Sequence, residues 1–114
     1  IIFNKVMKIN YVQVTIYKIT NDIDEFFYIG STTKKHLSDR MWLHASSSMD
    51  LKVSNCKCHL YQHFRRLGQF KFSIELLEDF PCSSRGEMVS REQEWMDYHL
   101  YTWDRALNQR RAMK

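Results

Sequence analysis

The chain is short, moderately apolar and basic. Its 114 residues, 44% of them apolar, can build one compact core and are too few for two. Lysine and arginine outnumber aspartate and glutamate by 17 to 13, a net charge of +4 that suits a polyanionic partner without requiring one. We assign residues 11–114 to a single domain and residues 1–10 to an N-terminal extension.

The cysteines and the hydropathy pattern narrow the choice of compartment. The three cysteines are an odd number, and Cys56 and Cys58 are too close for an easy bridge, so no disulfide framework is expected. No apolar run reaches the ~18 residues of a membrane span, and the opening IIFNKVMKIN lacks the apolar segment of a signal peptide. We therefore expect an intracellular protein in a reducing compartment, without a membrane segment.

The first two predicted elements are strands. From Tyr11 to Thr20 apolar and polar residues alternate, which predicts a half-buried strand. The turn-forming residues Asn21 to Asp24 separate it from a second strand, Glu25 to Gly30. The two strands should pair as a hairpin.

The length of this turn sets the expected register. A four-residue loop places Ile16 opposite Ile29 and Tyr17 opposite Tyr28. Because directly opposed residues share a face, the two tyrosines should stand side by side, away from Ile16 and Ile29.

A helix is predicted next, capped by Thr32 or Thr33 and running from about Lys34 to Ser46. Its inward stripe consists of Leu37, Arg40, Met41 and His44. Two of these four side chains, Arg40 and His44, are polar.

After a polar loop at Ser46 to Asn55, apolar residues at Leu60, Phe64 and Leu67 predict a short second helix that Gly68 ends. The alternating segment Phe70 to Phe80 predicts a third strand.

Ser84 and Glu87 have capping-box spacing and predict a long helix to about Tyr101. Its inward stripe reads Met88, Glu92, Trp95 or Met96, and His99. The fold class is therefore α+β, a three-stranded antiparallel sheet flanked by helices.

Glu92 needs an explanation, because burying an ionised carboxylate costs several kcal/mol unless it is paired. It could form an internal ion pair with Arg40, the helix could be rotated so that Glu92 is wet, or Glu92 could bind a metal. Arg40 and His44 could likewise be a snorkelling arginine beside a half-buried histidine, or a pair that meets one phosphodiester.

Tyr17 and Tyr28 could be ordinary cross-strand packing or the wall of a site. Gly30 could simply end a strand, or it could let a nucleic acid approach the sheet edge.

A rival cluster contains four candidate zinc ligands within eight residues, Cys56, Cys58, His59 and His63. The spacing C-x-C-H-x3-H lacks the usual C-x2-C span. His59, His63 and Arg66 could instead form the solvent face of the second helix.

Five short motifs occur in order with matching spacing: TIYKI at 15–19, YIGST at 28–32, RMWLH at 40–44, REQEWM at 91–96 and LNQ at 107–109. Together they resemble the GIY-YIG nuclease family. The segment LYQHFRRLGQFKFSIELLEDFP at 60–81 is similar to the catalytic domains of its homing-endonuclease branch. The resemblance implies metal-dependent hydrolysis of DNA, so we expect DNA as the partner and a cytoplasmic or nuclear location.

The resemblance also implies roles for particular residues. Glu92 would hold one Mg²⁺ or Mn²⁺ at the scissile phosphate, and Tyr17 would orient or deprotonate the attacking water. Tyr28 would share or exchange this role with Tyr17. The sequence departs from the family at Thr15, where the first motif has glycine, and we expect crowding there.

Three further residues complete the implied site. Arg40 would steady the phosphate, His44 would accept the proton, and Asn108 would brace the site by hydrogen bonding. Cleavage of both strands would need either sequential nicking or a transient dimer, and sequence choice a separate targeting domain or partner.

Basic residues outside the motifs are candidates for contacts with the DNA backbone, and for any one of them a solvated basic face is the alternative: Lys52, Lys57, Arg65, Arg66, Arg110 and Arg111. Two other functions stay open, a nucleic-acid-binding module without catalysis and a zinc-stabilised interaction domain.

Overall fold

The computed structural model describes residues 9–52 and 58–108, which form an α+β fold around a three-stranded antiparallel sheet of order β2-β1-β3. This confirms the fold class expected from the sequence. The elements in chain order are β1 (Thr15–Asn21), β2 (Tyr28–Thr32), α1 (Leu37–Met49), α2 (His59–Leu67), β3 (Phe72–Asp79) and α3 (Arg85–Tyr98). Short 3-10 helices lie at Tyr11–Gln13, Gln69–Lys71 and Leu100–Arg105.

The β1–β2 hairpin forms, but its register differs from the prediction by two residues. Tyr17 lies opposite Gly30, and Tyr28 lies opposite Ile19. The turn is longer than predicted because Asn21 and Asp24 use their side chains to bond the loop backbone, so that pairing resumes only at Tyr28. An even shift keeps side chains on the same face, so the two tyrosines still stand together.

The first strand begins later than the sequence predicts. The side chain of Asn10 accepts a hydrogen bond from the backbone N–H of Val12, which fixes a 3-10 turn, and Val12 is 68% exposed. The prediction that only one face of this strand is buried is also wrong. β1 is the central strand, and Thr15 to Tyr17 are buried on both faces of the sheet.

Two apolar clusters cover the two faces. On one face Tyr17 and Ile19 pack against α2 residues and Phe72, with α1 residues alongside. On the other face Ile16 and Ile29 pack against Met88 and Met96 of α3. Burial of each large apolar side chain contributes about 1.5–3 kcal/mol, so both helical layers are fixed to the sheet.

The predicted end of α2 is confirmed, whereas the predicted start of α1 is not. Gly68 ends α2 as predicted, with φ 93° and its N–H bonded to Phe64 O at 2.8 Å. The α1 prediction is shifted by three residues, because the Thr32 hydroxyl bonds the N–H of Lys34 in a turn and the helix starts only after His36.

The third strand starts later than predicted, and the last helix ends earlier, at Tyr98 instead of about Tyr101. Phe70 lies in a 3-10 helix and is 91% exposed, so β3 starts at Phe72. A bulge opposite Ile16 and Tyr17 then changes which residues face the core. The capping box of α3 is confirmed, with Glu87 N bonded to the Ser84 hydroxyl at 3.2 Å. Within residues 9–52 and 58–108, no helix is long and apolar enough to cross a membrane.

Candidate active site

The hydroxyl of Tyr17 is the centre of a polar cluster inside the fold. It accepts a hydrogen bond from Nε of Arg40 at 3.2 Å and lies 2.7 Å from Nε2 of His44. Arg40 and His44 come from successive turns of α1, as the inward stripe predicts, and α1 places both above the central strand. Tyr17 is 0% exposed and His44 is 2% exposed.

The close approach of the phenols depends on Gly30. A Cβ atom at this position would lie 2.5 Å from the ring carbon and the oxygen of Tyr17, and 2.9 Å from the ring of Tyr28. The space next to the glycine is therefore filled by the protein's own phenols and not left for a nucleic acid. Only glycine permits this arrangement without displacing a ring.

Tyr28 occupies the outer part of the same cluster. Its ring centre is 6.4 Å from that of Tyr17 and 5.7 Å from that of His44. Tyr28 is partly exposed, whereas Tyr17 is not, so Tyr28 connects the buried cluster with the surface at the edge strand β2.

His44 has a second partner that the sequence analysis did not identify. The hydroxyl of Tyr61, on α2, lies 2.9 Å from Nδ1 of His44. A chain of hydrogen bonds therefore runs from Arg40 through Tyr17 and His44 to Tyr61, connecting the edge of the cluster with the core.

Glu92 comes from α3, on the other side of the sheet, and meets the cluster at β2. Its Oε1 accepts a hydrogen bond from the hydroxyl of Ser31. Among the described residues no ion pair joins Glu92 to Arg40, so the internal salt bridge considered from the sequence is not formed. The charges of Arg40 and Arg85 nevertheless act on the carboxylate.

Asn108 supports the outer edge of β2. Its side-chain oxygen accepts from the N–H of Ile29 at 3.0 Å, and its amide donates to the carbonyl of Ile29 at 2.8 Å. The same segment forms a parallel bridge between Ala106 and Phe27. Asn108 thus occupies the place of a further strand and fixes the part of β2 that carries Tyr28 and Gly30.

Burial controls the protonation of the cluster. Burial raises the pKa of Tyr17 to about 12, although Arg40 acts in the opposite direction. Burial and the Arg40 charge lower the pKa of His44 to about 3. Burial also raises the pKa values of Tyr28 and Glu92, for Glu92 against the hydrogen bond from Ser31. At neutral pH the free site therefore contains neutral phenols and a neutral imidazole.

The surroundings of the Glu92 carboxylate are suited to binding a cation. Its carboxylate is partly buried, its hydrogen-bond partner Ser31 is neutral, and burial raises its pKa, so a bound cation would relieve the cost of its charge. The described residues contain no group of three or more acidic, histidine or cysteine side chains suited to a metal. Mg²⁺ commonly uses one or two carboxylates together with water and substrate phosphates, which fits a single glutamate.

The zinc cluster is not supported by the position of His63. His63 is 2% exposed and not part of a solvent face, whereas His59 and Arg66 are exposed. Its Nδ1 accepts from Arg66 at 2.7 Å and its Nε2 lies 2.8 Å from Asp24, so both ring nitrogens are already bonded. Cys56 lies outside the described residues.

The expected DNA contacts are described only in part. Lys52 is exposed after α1, and Arg65 is exposed but bonds the carbonyl of Ser48 at 2.7 Å. Three of the candidates lie outside the described residues, namely Lys57, Arg110 and Arg111.

Sequence reasoning missed Ser31 and Tyr61. Tyr61 lies three residues before Phe64, so its place on the inner face of α2 could have been found from helical spacing. No local pattern identifies Ser31 as the partner of Glu92, because the two residues are 61 positions apart.

Thr15 also bears on the site. Its hydroxyl is buried and has no hydrogen-bond partner among the described residues. This is the position at which we noted threonine in place of glycine in the sequence, and a buried hydroxyl stands there.

Comparison of the chain with protein-family models, with curated proteins and with solved structures gives no match.

We predict that Gly30→Ala lowers the free energy of unfolding by about 1–3 kcal/mol, because the added methyl group overlaps both phenol rings. Denaturant unfolding measures the change. The matched control is Gly86→Ala in α3, where the nearest atom to an added Cβ is 3.8 Å away. If Gly30→Ala were as stable as Gly86→Ala, the close packing of Tyr17 against Gly30 would be refuted.

A second prediction concerns pH. His44 binds a proton less readily in the folded than in the unfolded chain, so stability should fall as the pH drops below about 6.5, the unfolded pKa. Between about pH 7 and pH 5 the proton uptake of His44 should lower the free energy of unfolding by about 2 kcal/mol, and this contribution should be absent in His44→Gln. Denaturant unfolding at both pH values measures it.

Equal pH dependence of the wild type and His44→Gln would contradict a neutral, buried His44.

Proposed function

We propose that the protein is a divalent-metal-dependent endonuclease that hydrolyses DNA phosphodiester bonds. The observation that carries the proposal is the convergence of Tyr17, Arg40 and His44 in one hydrogen-bonded cluster next to β2, the strand whose Ser31 bonds Glu92. These residues come from β1, α1 and α3 and are among those that the GIY-YIG resemblance selects. A buried cluster of this kind is a poor means of stabilising a core, because every member must be desolvated.

Arg40 is suited to bind a substrate phosphate. In the free protein its guanidinium is partly exposed and donates to the buried oxygen of Tyr17. When it contacts a phosphate instead, one lone pair of the Tyr17 oxygen becomes available to a proton of the attacking water. Arg40 would then also neutralise negative charge that develops on the phosphate.

His44 would take up the proton that Tyr17 gives away. Its Nε2 lies 2.7 Å from the phenol oxygen, within reach of a direct transfer. Burial and the Arg40 charge keep its pKa low in the free protein, and movement of Arg40 onto an anionic phosphate removes the second cause. His44 is therefore a weak base in the free protein, and contact of Arg40 with a phosphate would remove the smaller of the two causes.

Glu92, with the hydroxyl of Ser31 beside it, would hold one Mg²⁺ or Mn²⁺. When bound, the ion would supply positive charge to polarise the phosphate and offset the charge of the leaving 3′ oxygen. Tyr28 would line the substrate-facing edge, and Asn108 would keep β2 in place.

A binding module without catalysis is the second candidate. It is favoured by the raised pKa of Tyr17 and the lowered pKa of His44, which oppose proton transfer in the free protein. Such a module would bind DNA in a salt-sensitive manner and leave supercoiled plasmid intact with Mg²⁺ or Mn²⁺.

We predict that the wild type nicks supercoiled plasmid with Mg²⁺ or Mn²⁺ and not with EDTA, and that Glu92→Ala lowers the rate at least about 100-fold, because the metal loses its carboxylate. The control is Glu94→Ala, which removes a carboxylate 59% exposed on the same helix and should cut at the wild-type rate. Thermal unfolding verifies that both variants fold. Wild-type cleavage by Glu92→Ala would remove Glu92 from the site, and no nicking by the wild type would favour the binding module.

A further inference from the structure

Tyr61 contacts the candidate proton acceptor, and although it lies in the segment 60–81 it is outside the five short motifs to which the resemblance gives roles. It belongs to α2 and is 3% exposed. Its hydroxyl bonds Nδ1 of His44, the ring nitrogen that Tyr17 does not contact. The two tyrosines thus hold the imidazole from both of its nitrogens.

The hydrogen-bond partners of Tyr17 determine which nitrogen of His44 carries the proton. Arg40 can only donate, so the Tyr17 oxygen accepts that bond. The hydroxyl hydrogen of Tyr17 also needs an acceptor, since the residue is 0% exposed. Among the described residues the acceptor in reach is Nε2 of His44.

The tautomer of His44 follows from this assignment. A neutral imidazole has one N–H, and Nε2 is the acceptor, so the hydrogen is on Nδ1 and is donated to the Tyr61 oxygen. In the opposite tautomer Nε2 would donate to Tyr17, and the Tyr17 hydroxyl hydrogen would be buried without an acceptor among the described residues.

We propose that Tyr61 is a positioning residue: its oxygen accepts the Nδ1–H of His44 and so holds the ring with Nε2 directed at the Tyr17 hydroxyl, ready to accept its proton. The catalytic part of this inference rests on the proposed nuclease function. The tautomer itself is a property of the free protein. During the reaction the Tyr17 O–H bond breaks and an Nε2–H bond forms, while the Nδ1–H bond to Tyr61 stays in place and stabilises the imidazolium.

The ring and the hydroxyl of Tyr61 have separable roles. The ring packs against Phe64 with a centroid distance of 6.2 Å and meets the His44 ring edge-on at 5.6 Å. Phenylalanine keeps these packing contacts and removes only the oxygen. Tyr61→Phe therefore tests the hydrogen bond without leaving a cavity.

The experiment records the ¹⁵N and ¹H NMR signals of the His44 ring nitrogens in the ¹⁵N-labelled 114-residue chain, without DNA or metal, at about pH 7. The pKa of about 3 makes the imidazole neutral there, so one tautomer is present to be identified. We expect protonated Nδ1 and unprotonated Nε2 in the wild type. Tyr61→Phe should keep this tautomer, because Tyr17 still donates to Nε2, but its Nδ1–H proton signal should shift or be lost by exchange with water, because that hydrogen has lost its acceptor. Tyr101→Phe, which removes a hydroxyl from a residue 96% exposed, should leave the Nδ1–H signal unchanged.

The rate of plasmid nicking is the second measurement. Tyr61→Phe should lower kcat by about 10- to 100-fold and leave KM unchanged, because Tyr61 acts on His44 and does not reach the DNA. No Tyr61 variant whose side chain lacks a hydrogen-bond acceptor should restore the wild-type kcat.

Protonated Nε2 in the wild type would overturn the inference even if Tyr61→Phe failed to fold. An unchanged Nδ1–H signal in a folded Tyr61→Phe protein would overturn it as well. Absence of nicking by the wild type would refute the nuclease function and the proposed role of Tyr61 in catalysis, while the NMR result would still decide whether Tyr61 accepts the Nδ1–H of His44.

Discussion

The fold depends on the placement of one phenol hydroxyl inside it. Tyr17 lies on the central strand, is completely buried, and has its oxygen bonded to Arg40 and 2.7 Å from His44. A buried hydroxyl without such partners would cost about 1–3 kcal/mol, so α1 must dock with these two side chains facing the sheet. Gly30 is part of the same constraint, because the neighbouring strand can approach Tyr17 only where no Cβ is present.

The position of β2 explains why residues from both faces of the sheet can act together. β2 is an edge strand, with Tyr28 directed toward the α1 side and Ser31 bonded to Glu92 of α3. The segment around Asn108 closes the outer edge of this strand by bonding Ile29. A carboxylate from one helical layer and phenols from the other layer therefore come close without either layer crossing the sheet.

Much of this arrangement could be predicted from the sequence, because it depends on periodicity. Alternation placed Tyr17 and Tyr28 on one face, and helical spacing placed Arg40 and His44 on one stripe. The exact pairing could not be predicted, since Asn21 and Asp24 lengthen the turn through side-chain bonds that alternation does not reveal.

Long-range partners were harder to predict for a physical reason. A carboxylate in an apolar stripe shows that some compensation is needed, but it does not show which. Arg40 was one partner considered for Glu92, and the structure gives Ser31, from a strand on which no sequence pattern marks a serine as a partner. Tyr61 is a similar case, because an aromatic residue on an inner helical face is adequately explained by packing until its hydroxyl is found beside His44.

The central proposal is that Glu92 of α3, bonded to Ser31 on the edge strand β2, holds the divalent ion beside the phenol cluster. The most direct test is an NMR titration of the free protein with Mn²⁺, which broadens signals near the bound ion. The account predicts selective loss of the Ser31 and Glu92 amide signals in the wild type and no such loss in Glu92→Gln. Equal broadening in both proteins, or broadening centred on the exposed carboxylates near Glu78, would contradict it.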